Sequence, residues 1–315
     1  MLSWPAMTQD AASHSRPLGR SDLRVFPIAY GLWRLGGASV DAATDKIQAA
    51  LEAGMNLFDI ADVYGYDGKS GFGDTEALLG KVLARAPHLR ERMLLATKGG
   101  VDPGMPYNAS ERYLLDACED SLQRMQTDVI DRYQIHRPDL LAHPHEVAGA
   151  LAKLHAQGKI RAVGVSNHTP AQVEALQAHL DLPIVTHQPE ISPWCLDALF
   201  NGVLDQCMRL GMTPLAWSPM AGGLLGMSVE QARRDGQPQR LITLLQCLDA
   251  LAERHGCERL IIVLAFLLAH PAGIIPIIGT QKPERLQACA GAASITLSRQ
   301  EWYEIVQTSL GKPLP

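Results

Sequence analysis

Residues 56–68 read NLFDIADVYGYDG, an apolar run that suits a buried strand but turns polar at Asp59 and carries Tyr64 into a glycine-bounded loop five positions later. Seven other runs share its strand-like character: RVFPIAYG from Arg24, MLLATK from Met93, VIDRYQIH from Val129, IRAVGVS from Ile160, IVTHQ from Ile184, MTPLAWS from Met212 and IIPIIG from Ile274. Several are almost continuously apolar rather than alternating, as strands of a parallel sheet covered on both faces are. Between them lie segments with apolar residues three and four apart, such as Leu114, Leu115, Cys118, Leu122 and Met125. Another such segment, Val147, Leu151 and Leu154, is closed by Gly158 as a C-terminal cap. Eight strands each followed by a helix, with no Ser/Gly-rich linker, predict one α/β domain over residues 1–315, a closed (β/α)8 TIM barrel. The stretch from Met220 to His270 is too long for one loop and one helix, so an active-site loop and an extra helix are expected there. PLGRSDLRVF before the first run predicts a short N-terminal hairpin at the barrel bottom. The chain is expected to finish in a helix, and residues 1 to about 15 to be flexible.

Composition narrows the function. The 315 residues are 47% hydrophobic and 19% charged, enough to bury a sizeable core, and the net charge of −5 comes without blocks of one sign. Neither a nucleic-acid surface nor an acidic tail is indicated. Cys118, Cys195, Cys207, Cys247, Cys257 and Cys289 form no CxxC pair and no His/Cys spacing that suits zinc, so no metal is expected and the thiols read as those of a reduced, cytoplasmic protein. The longest apolar run, Leu260–His270, is too short to cross about 30 Å of hydrocarbon, and the first residues lack the pattern of an export signal. No membrane is expected as a partner, and the assembly state is expected to be a monomer or a small homo-oligomer.

In a TIM barrel the chemistry sits at the C-terminal ends of the strands. The polar residues ending the runs are Asp59 and Tyr64, Lys98, His136, Ser166 and Asn167, Gln188, and Trp217 with Ser218. An Asp and a Lys directed into one mouth are expected to pair, because either charge alone in a partly dry site is costly. A protonated Lys98 beside Tyr64 favours phenolate and is expected to lower the tyrosine's pKa from about 10, making it a proton donor near neutral pH. His136 can orient or polarise a carbonyl oxygen bonded to that phenol. No serine or cysteine has a base in register, so the missing nucleophile is a hydride from a cofactor.

FDIADVYG, ATKGG, YQIHRPD, GKIRAVGVSNHTPAQVEAL, AWSPMAGGLL and IPIIGTQKPERL, taken in order, resemble the aldo-keto reductases along nearly the whole chain. THQPEISP and LAWSP resemble the family's bacterial oxidoreductase branch. The resemblance implies an NADP(H)-dependent reduction of aldehydes or ketones, small-molecule carbonyl compounds, to alcohols. It places Asp59, Tyr64, Lys98 and His136 in the catalytic tetrad, with Tyr64 as general acid tuned by Lys98 and Asp59. Ser166, Asn167 and Gln188 match residues that hold the nicotinamide carboxamide, and Trp217 stands where an aromatic stacks on the nicotinamide ring. SPMAGG lacks the GxGxxG spacing of a dinucleotide fingerprint, yet its amides, those of Met220 and Gly222 beside Ser218, are implied to cradle the pyrophosphate. After the eighth strand Gly279, Thr280, Lys282 and Arg285 match the site of the adenosine 2′-phosphate, while Ala288 and Cys289 depart from the asparagine that often helps hold the adenine. Gly31, Leu32 and Trp33 match a segment touching cofactor and pocket wall, and Trp33, Trp194 and Trp302 are implied to line the substrate pocket.

Two other readings remain open in the sequence. One is a non-catalytic NADP(H)-binding regulatory subunit of the same fold; the other is a metal-dependent barrel hydrolase built on His136, His168 and His187.

Overall fold

The computed structural model describes residues 15–315; the expectation of a flexible start falls on residues outside this description but for Ser15. A two-stranded antiparallel ribbon comes first, β1 (Arg16–Pro17) with β2 (Arg24–Val25). Eight parallel strands follow: β3 (Ala29–Gly31), β4 (Leu57–Asp59), β5 (Leu94–Gly99), β6 (Ile130–Ile135), β7 (Ile160–Ser166), β8 (Ile184–Gln188), β9 (Thr213–Ala216) and β10 (Ile275–Ile278). They close in chain order, with β10 pairing β3 through Ile277 opposite Ala29. The eight runs of the sequence are the eight staves of the barrel. One run is divided: Arg24–Val25 belongs to the ribbon and only Ala29–Gly31 to the barrel, with Pro27, which has no N–H for a ladder, standing between them.

The ribbon plugs the N-terminal end of the barrel. Leu18, Leu23 and Val25 pack in one buried cluster with Ala29, Leu57, Ala96, Ala162, Val185, Leu215 and Ile275, most of them near the starts of the staves. Arg16 Nη2 donates to the carbonyl of Ile274 just before β10, and the Gly19 N–H donates to Thr213 Oγ1 at the start of β9. Gly19 at φ +56 lies against the backbone of Val185, where a Cβ would come within 2.2 Å of the carbonyl oxygen.

A larger buried cluster lies between the staves and the surrounding helices, whose starts are capped by Ser39, Ser110, Thr169 and Ser298 accepting backbone N–H groups. Between β9 and β10 the chain makes a tight turn at Ala221–Gly226 and then helices Val229–Arg234, Gln239–Arg254 and Arg259–Leu268, the expected loop with its additional helical segments. Helix Arg299–Leu310 closes the chain and packs on Gln239–Arg254.

Within β6 the side chains alternate. Asp131 faces outward, accepting from the Leu95 N–H and from Arg161, whereas Arg132 and Gln134 face into the barrel and bond to Asp59 and Gln188. The interior below the mouth is therefore polar.

Candidate active site

Lys98, at the end of β5, is the hub. Its Nζ donates to Asp59 Oδ2 at 2.7 Å, to the Ile60 carbonyl at 2.7 Å and to Tyr64 Oη at 2.9 Å, so all three ammonium hydrogens have acceptors. The register of the barrel makes this possible, since Asp59 pairs with Ala96 two residues before Lys98 and both side chains lean toward the C-terminal end. Tyr64 reaches back from the loop after β4, held by its own N–H to the Ala61 carbonyl and by its carbonyl to the Thr75 N–H. The His136 ring meets the Tyr64 ring edge-on with centroids 6.1 Å apart. The four residues read from the strand ends thus share one place.

The Tyr64 pKa runs against the sequence expectation. Removal of water around the hydroxyl raises it above 10 and Asp59 adds to the rise, while the Lys98 charge and hydrogen bond, with Arg132, pull it back without reversing it. At neutral pH the phenol therefore keeps its proton, and Lys98 sits where it stabilises the anion left when that proton departs. Burial also works against the Lys98 ammonium, but Asp59 and Tyr64 outweigh it and its pKa is raised. His136 titrates well below the usual histidine range because it is desolvated and faces Lys98 and Arg137; its buried Nδ1 has no partner among the described residues. A neutral imidazole and a neutral phenol border the space above Lys98.

Arg132 was not anticipated. Fully buried, it donates through Nη2 to Asp59 Oδ1 at 2.9 Å and through Nη1 to Thr186 Oγ1 at 3.2 Å. Asp59 consequently carries a cation on each oxygen. The signal lay in the alternation of IDRYQIH, which puts Arg132 and Gln134 on the same face as His136.

Beside this cluster a chain of hydrogen bonds links β7, β8 and β9. Ser166 Oγ donates to the Gln188 carbonyl at 2.8 Å; Asn167 Nδ2 donates to Ser166 Oγ and to the His136 carbonyl; Trp217 Nε1 donates to Asn167 Oδ1 at 2.9 Å. The Gln188 amide oxygen accepts from Gln134 Nε2 at 2.7 Å. The residues read as a carboxamide site are thus fixed in one network that also orients the Trp217 indole. Asn167 at φ +59, Ser218 at φ +53 and Ala221 at φ +50 adopt left-handed backbone, which non-glycine residues take only when their surroundings enforce it. All three stand at the mouth.

The loop after β9 folds on itself. The Gly222 N–H donates to Ser218 Oγ at 2.7 Å, so it is not among the amides left for a phosphate; Met220 accepts through its carbonyl from Gly223 and Leu225. Added Cβ atoms at Gly222 and Gly223 would point into open space, which leaves a surface onto which an anionic group could settle. Arg259 holds the loop from below through the carbonyls of Leu225 and Met227.

After β10, Gly279 and Thr280 lead into helix Pro283–Ala290, with exposed Lys282 at its N-cap and exposed Arg285 in its first turn. Neither makes an ion pair among the described residues. Tyr30 Oη donates to the Thr280 carbonyl and fixes the start of this segment. A third cation, Lys46 of helix Val40–Glu52, donates to Gln281 Oε1 at 2.8 Å. Two free cations and the start of an eight-residue helix suit a phosphate monoester. The donor set at the mouth and at this segment fits a nicotinamide dinucleotide.

Gly31 ends β3, Leu32 is buried with its N–H on the Asp59 carbonyl, and Trp33 projects, 67% exposed, with its ring 6.4 Å from that of Tyr64. Trp194, in the loop after β8, is covered by the Arg240 guanidinium at 4.1 Å. Trp302 does not join them. It stacks on Phe266 at 5.0 Å and donates to the Phe266 carbonyl, beside the helix end that feeds the start of β10, on the plugged side of the barrel. The three histidines of the hydrolase reading do not all converge: His187 lies between Thr186 and Gln188, whose side chains bond inside the barrel, and so faces the helices beside His168, whereas His136 stands at the mouth against Tyr64. Among the described residues no group of three His, Cys, Asp or Glu side chains is placed to hold a metal.

Comparison with known proteins places the chain in a family. The model of the aldo/keto reductase family matches residues 27–309. A 6-dehydroglucose reductase of Novosphingobium aromaticivorans is 50% identical over 303 residues, covering 95% of this chain and 97% of the relative. A 6-dehydroglucose reductase of Agrobacterium fabrum is 34% identical over 305 residues, covering 92% and 96%. The crystal structure of a thermostable aldo-keto reductase in complex with the inhibitor epalrestat superposes with a TM-score of 0.77 at 26% identity, covering 93% of this chain and 99% of that one. The chain belongs to the aldo/keto reductase family. It is an oxidoreductase of small-molecule carbonyl compounds that works with a nicotinamide cofactor.

Proposed function

We propose that this enzyme uses NADPH to reduce an aldehyde to an alcohol, that Tyr64 is the general acid, and that the substrate is a sugar aldehyde of the 6-dehydroglucose kind. The observation that carries the catalytic part is Lys98 Nζ bonded at once to Asp59 and to the Tyr64 hydroxyl. When bound, the cofactor supplies the hydride. Tyr64, neutral at working pH, gives its proton to the carbonyl oxygen, and the charge left on its own oxygen falls 2.9 Å from the Lys98 ammonium. His136, held neutral by burial, can donate a hydrogen bond to the same carbonyl oxygen without adding a competing charge. Trp33, exposed beside Tyr64, offers a flat apolar wall on which the C–H face of a sugar ring can lie.

The choice of NADPH is supported by Lys282 and Arg285 at the helix start after β10. The sugar aldehyde is supported by the 50% identical relative that carries that activity in its name. Six cysteines without disulfides support a cytoplasmic location, and among the described residues no helix is long and apolar enough to cross a membrane.

The test is consumption of NADPH and of NADH with glucose oxidised to the aldehyde at C6, and with 4-nitrobenzaldehyde as a generic partner. Turnover of the sugar aldehyde with preference for NADPH is expected. Turnover of 4-nitrobenzaldehyde alone would discard the sugar substrate, equal rates with NADH would discard the 2′-phosphate site, and NADPH binding without any turnover would return the regulatory-subunit reading.

A further inference from the structure

A barrel interior filled with apolar side chains would leave Asp59 and Lys98 as a neutral pair beneath Tyr64. Here the layer below them holds Arg132, at 0% exposure one of the largest fully buried side chains of the molecule. An arginine in such a place needs an anion, and among the described residues Asp59 Oδ1 at 2.9 Å supplies it; Thr186 Oγ1 takes a second N–H, and the buried Nε has no partner among the described residues. The groups facing Tyr64 are then Asp59 from β4, Lys98 from β5, and Arg132 and the neutral His136 from β6 and its end. One carboxylate stands against two cations, so the cluster as a whole is positive by one charge.

We propose that Arg132 is a positioning residue of the reductase, which by occupying Oδ1 of Asp59 leaves the charge of Lys98 uncompensated toward the Tyr64 oxygen. The inference rests on the reading of Tyr64 as general acid. In reduction, the O–H bond of Tyr64 breaks, its electron pair stays on the phenol oxygen, and the proton forms the new bond to the carbonyl oxygen. The net positive charge below stabilises the phenolate as it develops. Arg132 touches neither substrate nor the reacting oxygen; it acts through Asp59, and it also fixes the carboxylate so that Oδ2 faces Lys98.

The charge count yields a test that a merely structural role would not satisfy. Arg132→Met leaves Asp59 and Lys98 to cancel, whereas Arg132→Met combined with Asp59→Asn leaves Lys98 alone and restores the net charge of +1. Tyrosine labelled with 13C at Cζ reports phenol ionisation by NMR, and the Tyr64 resonance is the one missing from Tyr64→Phe. We expect the Tyr64 pKa to rise by about 1 unit or more in Arg132→Met, a tenfold loss of phenolate at a given pH, and to move back down in the double variant. Arg132→Lys, which keeps the charge, is expected to stay within about half a unit of the parent. The pH profile of alcohol oxidation with NADP+ is expected to shift in the same order, its rising limb moving to higher pH in Arg132→Met.

An unshifted Tyr64 resonance in Arg132→Met, or a double variant that is displaced as far as the single one, would overturn the proposal. If Arg132→Met fails to fold, the double variant and Arg132→Lys decide between them: both near the parent value supports it, and either one raised by a full unit overturns it. Failure of the Tyr64 assignment itself would look different, as Tyr64→Phe retaining turnover.

Discussion

Replacing Lys98 by methionine removes a charge but little volume, and its consequences can be worked from the distances. At an effective dielectric of about 20, a unit positive charge 2.9 Å from a full phenolate contributes about 6 kcal/mol. A transition state in which the proton is about half transferred draws on roughly half of that, about 3 kcal/mol, or about 10²-fold in rate. The ground state loses too. Asp59 Oδ2 and the Ile60 carbonyl both lose a 2.7 Å donor in a buried place, and removing one partner of a buried ion pair costs about 3–5 kcal/mol of stability. Arg132 still holds Oδ1, which places the loss at the lower end of that range. The assay is steady-state reduction of an aldehyde at saturating NADPH, with the cofactor Kd from tryptophan quenching and a urea titration alongside. We expect kcat to fall by about 10²-fold or more, the Kd to stay within a few-fold, and stability to drop by about 3 kcal/mol. A kcat within threefold of the parent in a folded protein would refute the argument, because the ammonium would then not be interacting with the charge that forms on Tyr64.

Asp59→Asn is expected to lose about 3–5 kcal/mol of stability by urea unfolding despite its matched shape, since the new amide NH2 must face one of two cations that both donate at 2.9 Å or less. Arg285→Glu puts an anion where a 2′-phosphate is proposed to lie, and we expect the NADPH to NADH affinity ratio to shrink by more than about tenfold, with Lys282→Ala giving a smaller change; equal affinities in the parent would discard this site. His187 is buried with neither ring nitrogen hydrogen-bonded among the described residues, and burial, with the neighbouring His168 adding to it, pushes its pKa down to about 3. The unfolded chain takes up that proton near pH 6.5 while the folded protein refuses it, so the stability is fully present above about pH 6.5 and falls as the pH drops toward about 3, by up to about 1.4 kcal/mol per unit. His187→Gln is expected to flatten this slope in urea titrations at pH 7, 6 and 5, and an unchanged slope would mean that the ring is not the source.

The barrel was legible because its signal is repetitive: eight apolar runs of strand length separated by amphipathic helices admit few arrangements. Asp59, Lys98 and His136 were legible for a related reason, each being the polar residue at which an apolar strand ends, so that topology alone carries them to one mouth. Arg132 escaped because it lies one layer deeper, inside a strand, where a charged residue is read as facing outward unless the alternation is followed residue by residue. The rise in the Tyr64 pKa escaped because it depends on how much water the fold excludes from the hydroxyl, which a list of neighbours does not contain. Lys46 reaches the segment after β10 from a helix more than two hundred residues earlier, a proximity that only barrel closure creates. The first stave began later than its apolar run suggested because Pro27 ends the ladder that Arg24 and Val25 start. Trp302 was misplaced because a likeness in order along the chain does not say at which end of the barrel a C-terminal helix begins.

The central claim is that Tyr64 delivers the proton. Single-turnover reduction of an aldehyde by Tyr64→Phe premixed with NADPH isolates that step from binding and release, since phenylalanine keeps the ring against His136 and removes only the hydroxyl that Lys98 holds. The account predicts an unchanged NADPH affinity and a hydride-transfer rate lower by at least about 10²-fold, the scale of a lost general acid; a rate within a few-fold of the parent would contradict it.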